Sequence, residues 1–213
     1  MSRRTEGLGR GDAPPDHTSK ARPHRRVAAL VAALRDPCPG IRARAVWSLA
    51  CIGSQARWAL PRIIDRLSDP SPRVLIRALQ AIGMLGREDD RAIAAVAAFL
   101  DHPSAALRRL AADALGEIAR PCDIEIQQFE RMLEDESPKV RLAALQAIQT
   151  VYGYRPEFIG LAVTMLGDEY VSVRTEAITM LGAMGPAAAA TVPEILKAAE
   201  KCTACLAAAI IVL

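Results

Sequence analysis

DPSPRVLIRALQAIGMLG, Asp69–Gly86, decides the fold, because variants of it recur along the chain at one fixed spacing. Aligned on Val74, the same slot holds Ile41, Val74, Leu107, Val140 and Val173, each 33 residues after the last and without a gap. Four residues on, the slot reads Ala45, Ala78, Ala111, Ala144 and Ala177, so a small residue recurs where two helices are expected to pack closest. Apolar residues fall at offsets +4, +5, +8 and +11 from the slot, as in Ala78, Leu79, Ile82 and Leu85, which is one stripe at helical period. The helix starts share a register: Cys38-Pro39, Ser71-Pro72, Ser104-Ala105, Ser137-Pro138, Tyr170-Val171 and Thr203-Ala204. A Ser or Thr hydroxyl there is expected to accept from first-turn amides, and Pro is tolerated at the first helical position. Gly53, Gly86 and Gly185 at +12 are expected to end their helices in the left-handed region.

Upstream of each such helix lies a second apolar pattern at the same spacing. Its columns are Val27, Leu60, Ile93, Ile126, Ile159 and Val192, then Leu30, Ile63, Val96, Phe129, Ala162 and Ile195, with Leu34, Leu67, Leu100, Leu133 and Leu166 in the last turn. Each unit is therefore a helical hairpin, and neither helix can bury its stripe alone, so neighbouring units must stack. The expected fold is an all-α, right-handed α-solenoid of five full hairpins plus a truncated sixth, occupying residues 24–213. Residues 1–23 carry Gly7, Gly9, Gly11, Pro14, Pro15 and Pro23 among basic residues with little to bury, and are expected to form a disordered basic tail.

The link Asp-Pro-Ser-Pro, the following Val/Ile-Arg, the recurrent Ala and the closing Leu-Gly or Ile-Gly resemble HEAT repeats, in particular the short, phycobilisome-lyase-like type. The resemblance implies a ladder between repeats, formed by the link acids Asp36, Asp69, Asp135 and Asp168 with the helix bases Arg42, Arg108, Arg141 and Arg174. The pattern is interrupted where His102 replaces an Asp and Leu75 an Arg. Ankyrin and tetratricopeptide signatures are absent.

Composition fits this architecture: 51% hydrophobic and 24% charged residues with 4% aromatic favour closely packed helices over a β sandwich. The net charge of +3 is unevenly spread. Residues 1–26 carry seven Arg or Lys against three acids, and residues 121–213 seven against twelve, so the front is basic and the back acidic. Five scattered cysteines without a secretory signal suit a reducing, cytoplasmic setting, and the apolar run Cys205–Leu213 is too short to span a bilayer. Cys202 and Cys205 make half a metal site, which reads better as small turn residues, so no cofactor is expected. His17, His24 and His102 are the only histidines, and they form no His-Glu pair of the kind used by iron-binding HEAT-like hydroxylases. No catalytic constellation stands out.

A solenoid works through its surface, and offsets +2, +3, +6 and +10 face away from the buried stripe. They select Arg44, Trp47, Arg77, Gln80, Arg109 and Asp113 as the candidate partner-binding residues, with Trp47 beside Arg44 and Arg77 as its centre. Trp58 reads as packing. The leading expectation is a non-enzymatic scaffold or adaptor that presents the concave face of its second helices to a protein. The alternatives are a nucleic-acid binder resembling HEAT-like DNA alkylation-repair glycosylases, or a chromophore-lyase subunit. At the carboxyl end, Thr203 is expected to restart the helix, with Leu206 in the reference slot and Ile210 in the Ala slot. That end, uncharged from Leu206 to Leu213, is expected to be covered by self-association or, second, by a continuation of the natural chain.

Overall fold

The structure is a computed structural model that describes residues 18–200 and 203–212, apart from the side chains of 18–23 and 211–212. It is all-helical, with no strand among the described residues. Chain order runs α1 (Thr18–Ala33), α2 (Pro39–Ile52), α3 (Leu60–Ile64), α4 (Pro72–Leu85), α5 (Asp90–Ala97), α6 (Ala105–Ile118), α7 (Ile126–Met132), α8 (Pro138–Tyr152), α9 (Ile159–Met165), α10 (Val171–Ala183), α11 (Val192–Ala199) and α12 (Thr203–Val212). Each odd-numbered helix pairs with the even-numbered one after it, giving the expected hairpins. Helix α1 starts inside the stretch assigned to the tail; residues 1–17 lie outside the described residues.

The even-numbered helices form one layer, each packed on the next. Those from α2 to α10 run 13 to 15 residues, against five to eight for α3, α5, α7, α9 and α11, so only this layer offers a long continuous surface. Ala45, Ala78, Ala111, Ala144 and Ala177 are all buried, as are Val74, Leu107, Val140 and Val173. Neighbours also approach closely at offsets +9 and +7. A Cβ on Gly83 of α4 would sit 3.3 Å from the Ala114 Cα of α6, and one on Gly116 would sit 3.5 Å from the Ala147 Cα of α8. Small residues on both sides of α4, α6, α8 and α10 are needed because each is sandwiched between two other even helices, which buries a wider arc than the single stripe.

Three rungs tie successive repeats together. Arg42 donates from Nε and Nη2 to Asp69 Oδ2 and Oδ1 at 2.7 and 2.8 Å. Arg108 grips Asp135 in the same way at 2.6 and 2.9 Å, and Arg141 grips Asp168 at 2.7 and 2.9 Å. Each base reaches forward 27 residues into the next link, while its Nη1 closes its own link through two carbonyls, for example Asp36 O and Pro37 O for Arg42. Parallel two-point geometry of this kind gives an ion pair both strength and direction. On this 27-residue step the partner of slot 75 is slot 102. Leu75 and His102 are therefore the two halves of one missing rung.

The links also differ from expectation in how the helices begin. Ser71, Ser104 and Ser137 make no side-chain cap. Instead the residue two positions earlier accepts from the backbone amide of the start residue: Asp36 from Cys38, Asp69 from Ser71, Asp135 from Ser137 and Asp168 from Tyr170. The cap lives in the aspartate, which is why Cys and Tyr serve as well as Ser in that register. His102 substitutes with Nδ1, which accepts from the Ser104 amide at 3.0 Å.

Gly53 and Gly185 adopt positive φ as expected, but Gly86 does not: its φ is −88°. It is glycine because a Cβ there would meet Ile82 O at 2.8 Å and the Ala92 Cβ at 3.0 Å. The left-handed turn of that unit falls on Glu88, whose amide donates to Ile118 O, and in the fourth unit on Gly153. The last unit runs one residue out of the expected register. Cys205 and Ala209 are buried, whereas Leu206 is 48% and Ile210 71% exposed. Lys201 stands in the sequence where the other links carry Asp or His, so the amide-accepting side chain that sets the other helix starts is missing from it.

Candidate functional site

Offset +6 puts Trp47, Gln80 and Asp113 on the open face of α2, α4 and α6, one helix turn from Cys51, Met84 and Glu117 at +10. Trp47 is 38% exposed, and the Arg77 guanidinium of the next repeat lies over its ring, 4.6 Å from the centroid. Arg77 Nη1 also donates to Gln80 Oε1 at 2.9 Å, which fixes the guanidinium plane against the indole. On α6, Arg109 pairs with Asp113 four residues on. Burial pushes the Asp113 carboxyl above the usual range, Arg109 pulls it back, and Glu117 adds to the rise.

Trp47 borders three depressions. One, about 530 Å³, lies between α4 and α6 and is lined by Trp47, Gln80, Met84, Arg109, Asp113 and Glu117 among others. A second, about 230 Å³, lies between α2 and α4 and is lined by Ala43, Arg44, Trp47, Ser48, Arg73 and Arg77. The third lies on the α1 side, against Arg26, Leu30, Cys51 and Ile52. The six candidate residues thus occupy two adjoining grooves that meet at the indole. Farther along, a depression between α6 and α8 is lined by Asp113, Glu117, Gln146, Gln149 and Thr150.

Offsets +2 and +3 are less open than expected. Leu110 and Ala143, at +3, are buried against the preceding even helix. Arg73 and Met84 complete the grooves without having been among the six candidates. Arg73 precedes the reference slot and so escapes the offset scheme, yet it stands four residues before Arg77, a spacing that puts two side chains on one helix face. Trp58, expected to pack, is 48% exposed in the 3₁₀ segment Gly53–Ala59, where it stacks on His24 at 6.1 Å. Cys205 is buried, and Cys202 lies outside the described residues. Among the described residues no three His, Cys, Asp or Glu side chains cluster closely enough to hold a metal ion, and no helix is long and apolar enough to cross a membrane.

Stacked helical hairpins with bidentate rungs define a repeat solenoid, a class of fold typical of non-catalytic proteins. Within it the chain belongs to the HEAT-repeat family, whose model matches residues 60–126 and 126–213. No curated protein matches it in sequence. Solved structures share the fold at low identity. An engineered protein matches at 19% identity and TM-score 0.62, over 86% of this chain and 93% of its own. YibA of E. coli matches at 21% and 0.62, over 89% and 70%. A designed armadillo repeat protein in complex with the peptide (KR)4 matches at 19% and 0.58, over 86% and 99%.

Proposed function

We propose that this protein is a non-enzymatic scaffold that binds another protein across the exposed face of α2, α4 and α6. The reading rests on Trp47, held under Arg77 at the meeting point of two grooves on the long-helix layer. A large amphipathic ring braced by a guanidinium brings much contact area with little ordering cost, the usual composition of an interface centre. Arg44, Gln80, Arg109 and Asp113 supply polar contacts around it. Among the described residues, Cys38, Cys51 and Cys122 are exposed and in no disulfide, which suits a reducing compartment, and we place the scaffold in the cytoplasm.

Affinity capture from cell extract with wild type, Trp47→Ala and Arg77→Glu tests the reading. One set of proteins should be retained by wild type and lost on both variants; equal retention by all three would overturn it. Nucleic-acid binding is the second reading, favoured by Arg44, Arg73 and Arg77. Against it, the same face carries Asp113, Glu117 and Glu176 farther along, which would repel a continuous phosphate backbone. Exposed Leu206 and Ile210 favour a second copy as an additional partner. Light scattering over a concentration series should then show mass rising for wild type and constant for Ile210→Lys.

A further inference from the structure

The arginines of the cleft between α2 and α4 differ from those of the rungs. Arg42, Arg108 and Arg141 each hold an aspartate. Arg44, Arg73 and Arg77 converge on a cleft of about 230 Å³ whose other lining is Ala43, Trp47 and Ser48, without an acid. Among the described residues, no carboxylate lies within ion-pair distance of any of the three. The next groove along is mixed: Trp47, Leu79 and the exposed Met84 give it an apolar floor, while Arg109, Asp113 and Glu117 line its α6 side. Those two carboxylates, of which Asp113 is paired with Arg109, are shared with the depression between α6 and α8. A positive cleft, an apolar floor one inter-helix step on, and the acidic α6 wall of that same groove therefore follow one another along the ridge.

Resting on the scaffold reading above, we propose that the occupant is an extended segment of a partner protein with a defined order. A Glu or Asp enters the Arg44–Arg73–Arg77 cleft, a large apolar side chain enters the Trp47–Met84 groove, and a Lys or Arg faces Asp113 and Glu117. Neighbouring packed helices stand about 8–10 Å apart, and an extended chain advances about 3.3 Å per residue. The acid and the apolar anchor are thus about three residues apart, and the base follows on the far side of the apolar residue. The alternation of charge selects a peptide over a nucleic acid, whose phosphates all carry one sign.

The test is selection of a randomised decapeptide library on the full chain, followed by fluorescence polarisation with one labelled winner. Winners should carry an acid and an apolar residue about three positions apart. Arg44→Glu and Arg73→Glu should each weaken the winner about tenfold or more. Replacing the peptide's acid by Lys should restore binding to Arg73→Glu, while Arg131→Glu, on α7 in the other layer, should change nothing. Winners that depend on Trp47 yet lack an acid, or bind Arg73→Glu as wild type, overturn the assigned order and leave the scaffold reading standing. If no peptide binding depends on Trp47, the proposal fails, and equal capture by wild type, Trp47→Ala and Arg77→Glu would show that the scaffold reading fails with it. Competition by a single-stranded DNA oligonucleotide as strong as by unlabelled peptide also overturns the proposal.

Discussion

The junction between the third and fourth hairpins and the junction between the second and third join the same kind of helices by different means. At the former, Arg108 spans the gap to Asp135. At the latter, the corresponding positions hold Leu75, packed against the core, and His102, stacked on Phe99 at 5.5 Å. The unlinked junction has its own ties: the Glu88 amide donates to Ile118 O at 3.0 Å, and Gly83 lets α4 approach α6 closely. The comparison separates two tasks that Asp performs at once. His102 keeps the local one, accepting the Ser104 amide, and gives up the inter-repeat one. At this junction both partners of the rung are replaced together, which avoids a half-buried Asp or Arg left alone, a charge that would cost more than the pair contributes.

The largest effect should come from creating that imbalance at a junction where it does not exist. Arg141→Leu strands Asp168 and frees the carbonyls of Asp135 and Glu136, and should cost about 3 kcal/mol in chemical denaturation. Arg141→Leu with Asp168→His copies the natural Leu75/His102 pair and should recover more than half of it. No recovery would mean that the rung, rather than the stranded charge, is what matters.

Ala111→Leu, next in size, tests packing in place of charge. Ala111 is fully buried in α6, on both sides of which other even helices pack, so three added heavy atoms should cost about 2 kcal/mol. Unchanged thermal unfolding would show that the buried arc is narrower than described. Building the missing rung is smaller. Leu75→Arg alone should destabilise, and adding His102→Asp should return the protein to within about 1 kcal/mol of wild type, with a favourable coupling in the double-mutant cycle.

Acid titration sharpens the same comparison. The Arg42 guanidinium holds the Asp69 carboxyl below its usual range against the cost of burial, helped by the Ser71 amide. Burial works against ionisation of Asp135 and Asp168, but Arg108, Arg141 and the link amides outweigh it and hold both low. A depressed carboxyl adds stability that is fully present above its unfolded pKa, about 4, and is lost as pH falls through the folded value. Wild-type stability should therefore be flat in this respect above about pH 5 and fall below about pH 4. Leu75→Arg/His102→Asp should fall more steeply in that window, having one more such carboxyl.

The repeat itself was legible because a period of 33 residues is a statement about stacking, and every buried Ala of the column obeys it. Trp47, Arg77 and Gln80 could be placed on one face for the same reason. What the pattern could not carry were features set by a neighbour's shape. Gly86 looked like a left-handed helix end, but close contact with Ile82 and Ala92 dictates it. The link serines looked like caps, because residue preference at a position does not say which atom of a short link accepts the amide. The last helix slipped by one residue where Lys201 replaces the link acid, and Arg73 was missed because it precedes the slot from which offsets were counted.

The smallest effect contrasts the rungs with the ion pair inside the candidate site. Arg109 and Asp113 sit on one helix, each partly open to solvent, and close no link. Burial nevertheless raises the Asp113 carboxyl, the reverse of the rung aspartates, because Arg109 offsets only part of the desolvation and Glu117 adds to it. A raised carboxyl is favoured in its neutral form by folding. Its contribution is present below the unfolded pKa near 4 and is lost as pH rises through the folded value. Asp113→Asn keeps the shape and removes the charge, so at pH 7 it should leave stability unchanged or raise it slightly, within about 0.5 kcal/mol. The variant's advantage should shrink when both proteins are compared at pH 3, where wild-type Asp113 is protonated. A loss of stability at pH 7 comparable to that of Arg141→Leu would show that the Arg109–Asp113 pair holds the fold as a rung does, and would leave the groove with one fewer charge free to meet a partner.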